Sequence, residues 1–296
     1  MRKYLKKILT AVSLAGAVLL GVWLPGMFAS PQPESIPLES IPDYAGLPYV
    51  ELTDGVPEFT EEMLTEAARS YERYRSLDLL GRPQEACASV GPDLMPEGKR
   101  ESIGMIKPAG FHTVRYDDLI EDKYLYNRCH IIGWQLTGEN ANPQNLITGT
   151  RYMNVEGMLP FENRIASYVR ATGNHVLYRV TPVYSEEELL CRGMRLEACS
   201  VEDGGEGLQF HVFVYNVQPG IEIDYATGDS WRAPEAAKPN PEITDISYIL
   251  NRNSFKFHLP SCESVSDMAE KNKIYSDADR DTVIAQGYVP CKGCNP

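Results

Sequence analysis

Residues 124–171 hold the polar side chains of this sequence that are best suited to chemistry. The run Asn127-Arg128-Cys129-His130 follows a strand-like start at residues 124–126, and a loop rich in Gly, Asn and Pro separates it from a helix predicted to begin near Leu159 or Pro160. A neutral imidazole can take a proton from water, an Asn carbonyl can hold a hard cation, and an Arg side chain can contact phosphate oxygens through two nitrogens. These residue types favour metal-assisted chemistry on a phosphate ester.

The block resembles the DNA/RNA non-specific endonucleases, whose site is a ββα-metal (His-Me finger) motif. The family signature Asp-Arg-Gly-His matches Asn127-Arg128-Cys129-His130 at its second and fourth positions. The family's metal-binding Asn corresponds to Asn154, and its helix Glu corresponds to Glu162, eight residues later. The flanking text, NxxNLITGTRYMN and then PFEN, is similar to the secreted DNA-entry type of nuclease, and the resemblance covers residues 83–229.

The resemblance implies hydrolysis of phosphodiester bonds with His130 as the general base. Mg²⁺, bound by Asn154 and by waters and with Mn²⁺ as an alternative, would stabilise charge on the leaving 3′ oxygen, so that the product carries a 5′-phosphate. Glu162 would hold metal-bound water, and Asn145 would orient that shell.

The resemblance also implies where the substrate binds. Arg128 is expected to be catalytic, with His130 and Glu162. Arg128 and Arg151 would contact phosphates of the substrate, and Asn127 would also contact the substrate. Contacts to phosphate and metal carry no information about the bases. The expected substrate is therefore DNA, and RNA as well, with little sequence preference.

Two positions depart from the signature. Asn127 replaces an acid, which removes a charge that could orient neighbouring groups or tune the base. Cys129 replaces Gly, so the backbone there need not adopt a positive φ, and its thiol becomes available for a bond.

The N-terminus has the pattern of an export signal. Four cations, at Arg2, Lys3, Lys6 and Lys7, precede an apolar run over residues 8–24 that Pro25 ends. Residues 1–30 are either a signal peptide cleaved near Ala29 or Ser30, or an uncleaved anchor slightly shorter than the roughly 20 residues of a typical span. The protein is thus expected to be secreted or anchored outside the cell, with membrane contact only through this segment.

The net charge of -13 is unfavourable for a protein that binds nucleic acid. Local potential matters more than the total, however, because a cleft steers its own ligand. Residues 100–179 contain nine Lys and Arg against eight Asp and Glu, so the acidic excess lies elsewhere.

Alternating apolar residues at 175–183 and 208–217 predict strands, residues 189–200 predict a strand pair with a turn near Gly193, and residues 60–80 predict a helix capped by Thr60. A Pro-rich linker at 31–45 leads into a domain at 46–232, and a second linker at 233–243 leads into a small module at 244–296. The expected class is α+β: a ββα-metal core with a central antiparallel sheet flanked by helices, plus a small zinc-binding C-terminal module.

The C-terminal module contains His258-x₃-Cys262 and Cys291-x₂-Cys294, four ligands that Zn²⁺ accepts. It resembles the zinc-binding module of adaptive-response DNA repair proteins, with His258 in place of the first of four cysteines. A structural or partner-docking role is expected, and the sequence does not identify the partner. A redox pair of Cys291 and Cys294, or a disulfide at Cys262, stays open as an alternative.

Four further cysteines give two disulfide hypotheses. Cys191 and Cys199 flank the expected turn at Gly193, and Cys87 with Cys129 would attach the N-terminal part of the domain to the active-site strand. Both pairings suit a compartment in which disulfides form.

Two other functions compete with an exported endonuclease. One is a catalytically weak surface component for nucleic-acid binding or uptake, with Asn127 as the sign of lost catalysis. The other is a secreted zinc hydrolase, which is disfavoured because four protein ligands at the Cys/His cluster would saturate the ion.

Overall fold

The structure is a computed structural model and describes residues 37–234, 247–251, 254–269, 272–276, 278, 280–285 and 288–296. The predicted export segment at residues 1–30 lies outside these residues, as do residues 31–36 of the first predicted linker and 235–243 of the second. In the described part of the chain, no helix has the length and apolar character needed to cross a membrane.

The described residues form an α+β fold dominated by antiparallel strands, as predicted. In chain order the strands are β1 (Tyr49–Glu51), β2 (Tyr71–Tyr74), β3 (Ala86–Val90), β4 (Tyr126–His130), β5 (Leu146–Thr150), β6 (Val176–Val183), β7 (Gly193–Ser200), β8 (Gln209–Tyr215), β9 (Ile221–Ile223), β10 (Ser230–Arg232), β11 (Tyr248–Asn251), β12 (Lys256–His258), β13 (Lys273–Ser276) and β14 (Val289–Pro290). The α-helices are α1 (Glu61–Glu66), α2 (Trp134–Thr137), α3 (Leu159–Thr172), α4 (Glu263–Ser266) and α5 (Arg280–Ala285).

A six-stranded antiparallel sheet in the order β1-β8-β7-β6-β3-β2 is the central layer. Helix α3 packs against one face of this sheet through its buried side chains Phe161, Ile165 and Val169. The apolar residues on that face include Ala88, Tyr178, Leu196 and Phe210. The central sheet with a helix on its face agrees with the expected architecture.

The opposite face of the sheet is polar although it is buried. The Glu197 carboxylate is fully buried and accepts hydrogen bonds from Nε and Nη2 of Arg179, both at 2.7 Å. The backbone N–H of Glu58 donates to the same carboxylate at 2.9 Å, and the Arg179 guanidinium lies 5.0 Å from the centre of the Phe59 ring. The segment that leads into α1 therefore covers this face, and the buried charges are paired as burial requires.

The sequence predicted several of these elements and misjudged two of them. Strands β6 and β8 lie where alternation placed them, and Thr60 caps α1 by accepting the N–H of Met63 at 3.2 Å. The predicted helix over 60–80 ends early, because the tyrosine-rich segment Tyr71–Tyr74 pairs with β3 as an edge strand. The predicted turn near Gly193 is also wrong: β7 is one continuous strand, and all eight of its residues are buried.

The predicted Cys191–Cys199 disulfide is wrong for this reason, and both thiols are free. The six residue steps from Gly193 to Cys199 alone span roughly 20 Å in an extended strand. The two Cα atoms of a disulfide are about 5.5–6 Å apart. The two cysteines therefore belong to opposite ends of β7.

The predicted Cys87–Cys129 disulfide is wrong as well, and both thiols are free. Side chains alternate along β3, so Cys87 points away from the face that Ala86 and Ala88 present. Those two alanines share a core cluster with Cys129, whereas the Cys87 Sγ lies 3.9 Å from the Tyr71 hydroxyl. The two thiols lie on opposite sides of the sheet.

Strands β4 and β5 and helix α3 form a ββα unit next to the large sheet. β4 and β5 pair antiparallel with His130 opposite Leu146, and a π-helical turn at Met153–Met158 leads directly into α3. Helix α3 begins at Leu159, as predicted, and ends at Gly173, whose φ of 75° suits a glycine. This unit brings the end of one strand close to the start of a helix.

The C-terminal module has its own four-stranded sheet, in the order β13-β11-β12-β14. Its small core contains Leu250, Phe257, Val283 and Tyr288. The apolar interior is small, so a further source of stability is needed.

Substitution of Gly193 tests the close packing of β7 against β8. A Cβ at this position would lie well inside 3.0 Å of the Phe213 ring and of the Val214 carbonyl oxygen. We expect Gly193→Ala to lower the free energy of unfolding by about 1–3 kcal/mol, because β8 cannot move away without disturbing the sheet. Urea denaturation followed by circular dichroism measures this.

Gly98→Ala is the matched control, because a Cβ at Gly98 meets no atom within 4 Å. Its stability should change by less than about 0.5 kcal/mol. Equal effects of the two substitutions would contradict the tight contact between β7 and β8.

Candidate active site

His130 ends strand β4 and is 7% exposed. Its Nε2 lies 2.8 Å from the backbone oxygen of Asn140, and its Nδ1 lies 3.0 Å from Nη2 of Arg100. A carbonyl oxygen only accepts and a guanidinium only donates, so Nε2 carries the proton and Nδ1 presents its lone pair. The ring is therefore held in one tautomer with Nδ1 as its basic atom.

Burial lowers the pKa of His130 to about 4, because the charged imidazolium loses solvation. The hydrogen bond to the Asn140 oxygen opposes this shift, and the positive charge of Arg100 adds to it. The ring is neutral near pH 7, so it can accept a proton. This pKa lies well below the ordinary histidine value of 6.5.

Asn154 lies in the π-helical turn that precedes α3. Its Nδ2 donates to Oδ1 of Asn127 at 3.1 Å. The amide oxygen of Asn127 thus accepts the hydrogen bond that a carboxylate of the family's Asp would accept, but it carries no charge. With its nitrogen held, Asn154 has its own Oδ1 as the atom left to bind a ligand.

Glu162 lies in the first turn of α3 and is 7% exposed. Burial raises the pKa of its carboxyl to about 7, opposed by hydrogen bonds from the Gly133 backbone and the Gln135 side chain. A Cβ at position 133 would lie inside 3.0 Å of both carboxylate oxygens, so only glycine allows this approach. The sequence does not reveal Gly133 as a site residue, because its role depends on its contact with Glu162 in the folded chain.

Two adjoining clefts contain these side chains. The first, here called the His130 cleft, is lined by Arg100, Arg128, His130, Gly133, Trp134, Gln135, Asn154, Leu159 and Glu162. The second, here called the tyrosine cleft, is lined by Arg100, Ile103, Phe111, Thr113, Tyr124, Tyr126, Asn127, Arg128 and Asn154. The structure therefore brings His130, Asn154, Glu162 and Arg128 to one cleft.

Arg128 lines both clefts while it supports a neighbouring loop. Its Nε donates to the Ile106 oxygen at 2.5 Å and its Nη2 to the Gly104 oxygen at 3.2 Å. The guanidinium lies 4.2 Å from the centre of the Phe111 ring. These contacts hold the Arg128 side chain in place between the two clefts.

Arg100 also lines both clefts, and the sequence analysis did not single it out. It is 30 residues before His130 in a loop with mixed charges, so no periodicity or motif separates it from surface cations. Only the fold brings its guanidinium to Nδ1 of His130.

Two predicted site residues, Asn145 and Arg151, make contacts of their own outside the two clefts. Asn145 is fully buried, its Oδ1 accepts the Ile132 N–H at 2.8 Å, and its Nδ2 donates to the Ile132 oxygen at 3.0 Å. Arg151 forms an ion pair with Asp122 and lines neither described cleft. Asn145 thus contacts the backbone and Arg151 contacts an acid, and their expected roles at the metal's waters and at phosphate stay predictions.

The four predicted zinc ligands meet in the C-terminal module. The ligand atoms of His258, Cys262, Cys291 and Cys294 all lie within 4.8 Å of one another. Backbone N–H groups of Cys294 and Gly293 lower the pKa of Cys291, which favours its thiolate. Ligands about 2.3 Å from a tetrahedral ion are roughly 3.8 Å apart, so this cluster matches the size of a zinc site.

Comparison with known proteins agrees with the geometry of the ββα unit. Residues 62–202 match the family described as DNA/RNA non-specific endonuclease. Over these residues, just under half of the chain, the sequence is similar to that family. The match includes His130, Asn154 and Glu162, and it makes the protein a metal-dependent nuclease that acts on nucleic acid.

Solved structures of nucleases share the fold. NucA from Streptococcus agalactiae, solved with no metal and with a magnesium ion, is 26% identical to this nuclease and matches it over 66% of this chain. The matches cover 92% and 91% of NucA, with TM-scores of 0.56 and 0.57. Sda1 nuclease, solved with a bound zinc ion, is 24% identical over 64% of this chain and 97% of its own, with a TM-score of 0.52, and supports the fold alone.

Gly133 provides a test of the Glu162 position. We expect Gly133→Ala to reduce the initial rate of plasmid cleavage about 10–100-fold, the usual cost of disturbing groups that orient a metal site. The new methyl group would displace the carboxylate. Rates measured across a magnesium titration for Gly133→Ala, Glu162→Gln and the double variant would check this.

If Gly133 acts through Glu162, the double variant should be no slower than Glu162→Gln alone. Fully additive losses would show that Gly133 affects the reaction by another route. Melting curves of the three variants establish that each one is folded.

Proposed function

We propose that this protein is an exported, magnesium-dependent endonuclease that cuts DNA and RNA without sequence preference, using His130 as its general base. The main support is the arrangement of His130: Nε2 is held by the Asn140 oxygen, Nδ1 faces the Arg100 guanidinium, and the residue lines a cleft together with Asn154 and Glu162. A base must be neutral, oriented and within reach of the water that it deprotonates.

The residues of the His130 cleft suit a hard divalent cation. Asn154 offers an amide oxygen, and Glu162 offers a buried carboxylate whose raised pKa reflects the cost of burying its charge. A bound cation would offset that cost, and a site with few protein oxygens leaves room for water and phosphate, as Mg²⁺ prefers. Asn154 would bind the ion directly and Glu162 through water, with Mn²⁺ as an alternative. The ion would stabilise negative charge on the phosphate and on the leaving oxygen.

Each of the remaining site residues has its own role in the proposed reaction. Nδ1 of His130 removes a proton from the attacking water. The hydrogen bond from Nε2–H to the Asn140 oxygen is kept and stabilises the imidazolium that forms. Arg128 and Arg100 contact phosphate oxygens, and Arg100 moves from Nδ1 to the phosphate when substrate binds. The bond from phosphorus to the 3′ oxygen breaks, which leaves a 5′-phosphate on the product. Asn127 orients Asn154 and lies beside the substrate.

We further propose the division of the chain that its sequence indicates. Residues 1–30 act as a signal peptide or signal anchor, 31–45 and 233–243 are linkers, 46–232 form the nuclease domain and 244–296 form the zinc module. The supporting pattern is the cationic, then apolar N-terminus. The protein therefore acts outside the cell, either free or attached to the membrane through its N-terminus.

Substitution of His130 tests the mechanism. Residues 31–296 are incubated with supercoiled plasmid and with RNA, in Mg²⁺ or in EDTA. We expect His130→Ala to lower the cleavage rate about 10²–10⁴-fold, because general-base catalysis contributes this much. Asn154→Ala should abolish the magnesium response.

His175→Ala is the matched control, because that histidine pairs with Glu202 and lines neither cleft. It should cleave at the wild-type rate. Undiminished cleavage by His130→Ala would refute the assigned base. Binding of nucleic acid without cleavage by the wild-type chain would favour the uptake component instead.

We propose that the C-terminal cluster binds one structural zinc ion. The support is the close approach of the four ligand atoms in a module whose apolar core is small. With all four positions filled by protein ligands, the ion has no open site for catalysis. Metal binding would instead supply much of the module's folding free energy.

Elemental analysis of purified residues 31–296 tests the zinc proposal. We expect a single zinc ion per chain, lost in Cys291→Ser because that substitution removes a thiolate ligand. Plasmid cleavage should stay within about twofold of wild type, because the nuclease domain has its own core. A chain without zinc that is lighter by two hydrogens would indicate a disulfide among these cysteines instead.

A further inference from the structure

The aromatic residues of the tyrosine cleft have no part in the proposed reaction, although this cleft adjoins the His130 cleft. Three aromatic side chains line it: Phe111, Tyr124 and Tyr126. Tyr126 is buried, and its hydroxyl donates to the Gly228 oxygen at 2.9 Å, so that ring is fixed. Tyr124 is 45% exposed, so much of its ring is available to a ligand.

The charged residues that line this cleft are both positive, and the nearby Arg115 is paired with Asp117. Arg100 and Arg128 are the charged residues that line it, and no carboxylate does so among the described residues. The Arg128 guanidinium lies 4.2 Å from the centre of the Phe111 ring, and that of Arg115 lies 5.5 Å from the centre of the Tyr124 ring. Aromatic rings interleaved with arginines attract a ligand that is both flat and anionic, and this local positive charge opposes the net charge of -13 of the whole chain.

The two clefts are continuous, because Arg100, Arg128 and Asn154 line both of them. Asn127 joins them as well: its Oδ1 accepts from Asn154, and its side chain lines the tyrosine cleft. A strand whose phosphate lies beside His130 would therefore place a neighbouring nucleotide at Tyr124.

We infer that the tyrosine cleft is a binding pocket for one unstacked base of single-stranded nucleic acid, next to the phosphate that is cut. This inference rests on the proposed function for the position of the cut phosphate. In a duplex both faces of a base are covered by its stacked neighbours, so the base cannot lie against a side-chain ring. A base of a single strand can do so, and stacking on tyrosine tolerates every base.

The pocket therefore gives the nuclease a preference for unpaired strands without a preference for sequence. Phosphate contacts by Arg100 and Arg128 are available to both kinds of substrate. The stacking contact is available to the single strand alone. Removal of the exposed ring should thus weaken single-strand binding selectively.

Binding in EDTA tests this inference without any cleavage. A fluorescently labelled oligothymidylate and a labelled blunt duplex of equal length are titrated with wild type, Tyr124→Ala and Tyr124→Phe. We expect Tyr124→Ala to bind the single strand about tenfold more weakly, the usual loss on removing one stacked base contact. Tyr124→Phe should bind it as wild type does, and duplex affinity should change by less than about twofold in either variant.

Trp231→Ala is the matched control, because that ring is 50% exposed in the same domain and lines neither cleft. It should bind both substrates as wild type does. In Mg²⁺, Tyr124→Ala should raise the KM for the single strand about tenfold and leave kcat unchanged, because the ring takes no part in the reaction.

Equal weakening of single-strand and duplex binding by Tyr124→Ala would overturn the inference, and so would unchanged binding of both. Phe111→Ala, with a melting curve to show that it is folded, provides a second variant of the same pocket. Failure of the proposed function has a different signature: His130→Ala would still cleave, while the selective loss in EDTA would still be observed.

Discussion

Three hydrogen bonds between Asn145 and the backbone of Ile131 and Ile132 hold the loop that follows strand β4. The Ile131 N–H donates to the Asn145 oxygen at 2.9 Å, and the Asn145 side chain exchanges two bonds with Ile132. These bonds join the two ends of a loop that carries Gly133 and Asn140. Gly133 fixes the position of Glu162, and Asn140 fixes the tautomer of His130, so the geometry of the active site depends on this clamp.

Burial affects the two titratable groups of the His130 cleft in a related way. It lowers the pKa of His130 to about 4 and raises that of Glu162 to about 7, so both groups favour their neutral forms. A neutral imidazole is what a base requires. A cation bound beside Glu162, as proposed, would lower the pKa of this carboxyl, and its binding would release a proton. The positive charge of the cleft comes from two arginines, which explains how a strongly acidic chain can accept nucleic acid.

The sequence was sufficient to predict the parts of the fold and site that depend on local order. Alternation located β6 and β8, the start of α3 was predicted near Leu159 or Pro160, and the family resemblance assigned His130, Asn154 and Glu162 to one site. Contacts between residues that are distant in the sequence could not be predicted in this way. Arg100 reaches His130 from a loop without regular structure, and Gly133 is required by a side chain 29 residues later. The cysteine pairs failed because pairing depends on which face of a strand each residue occupies and on how far the strand runs.

The free cysteines of the nuclease domain have a consequence for where it can fold. Cys129 and Cys191 are fully buried, and burial raises the pKa of both thiols, to about 12 for Cys191. Such thiols are protonated and shielded, so they exchange slowly with disulfides and oxidise slowly. The stability of this domain does not depend on an oxidant or on a disulfide isomerase. The nuclease domain therefore has the same covalent structure in a reducing and in an oxidising compartment, and its fold is held by packing and hydrogen bonds alone.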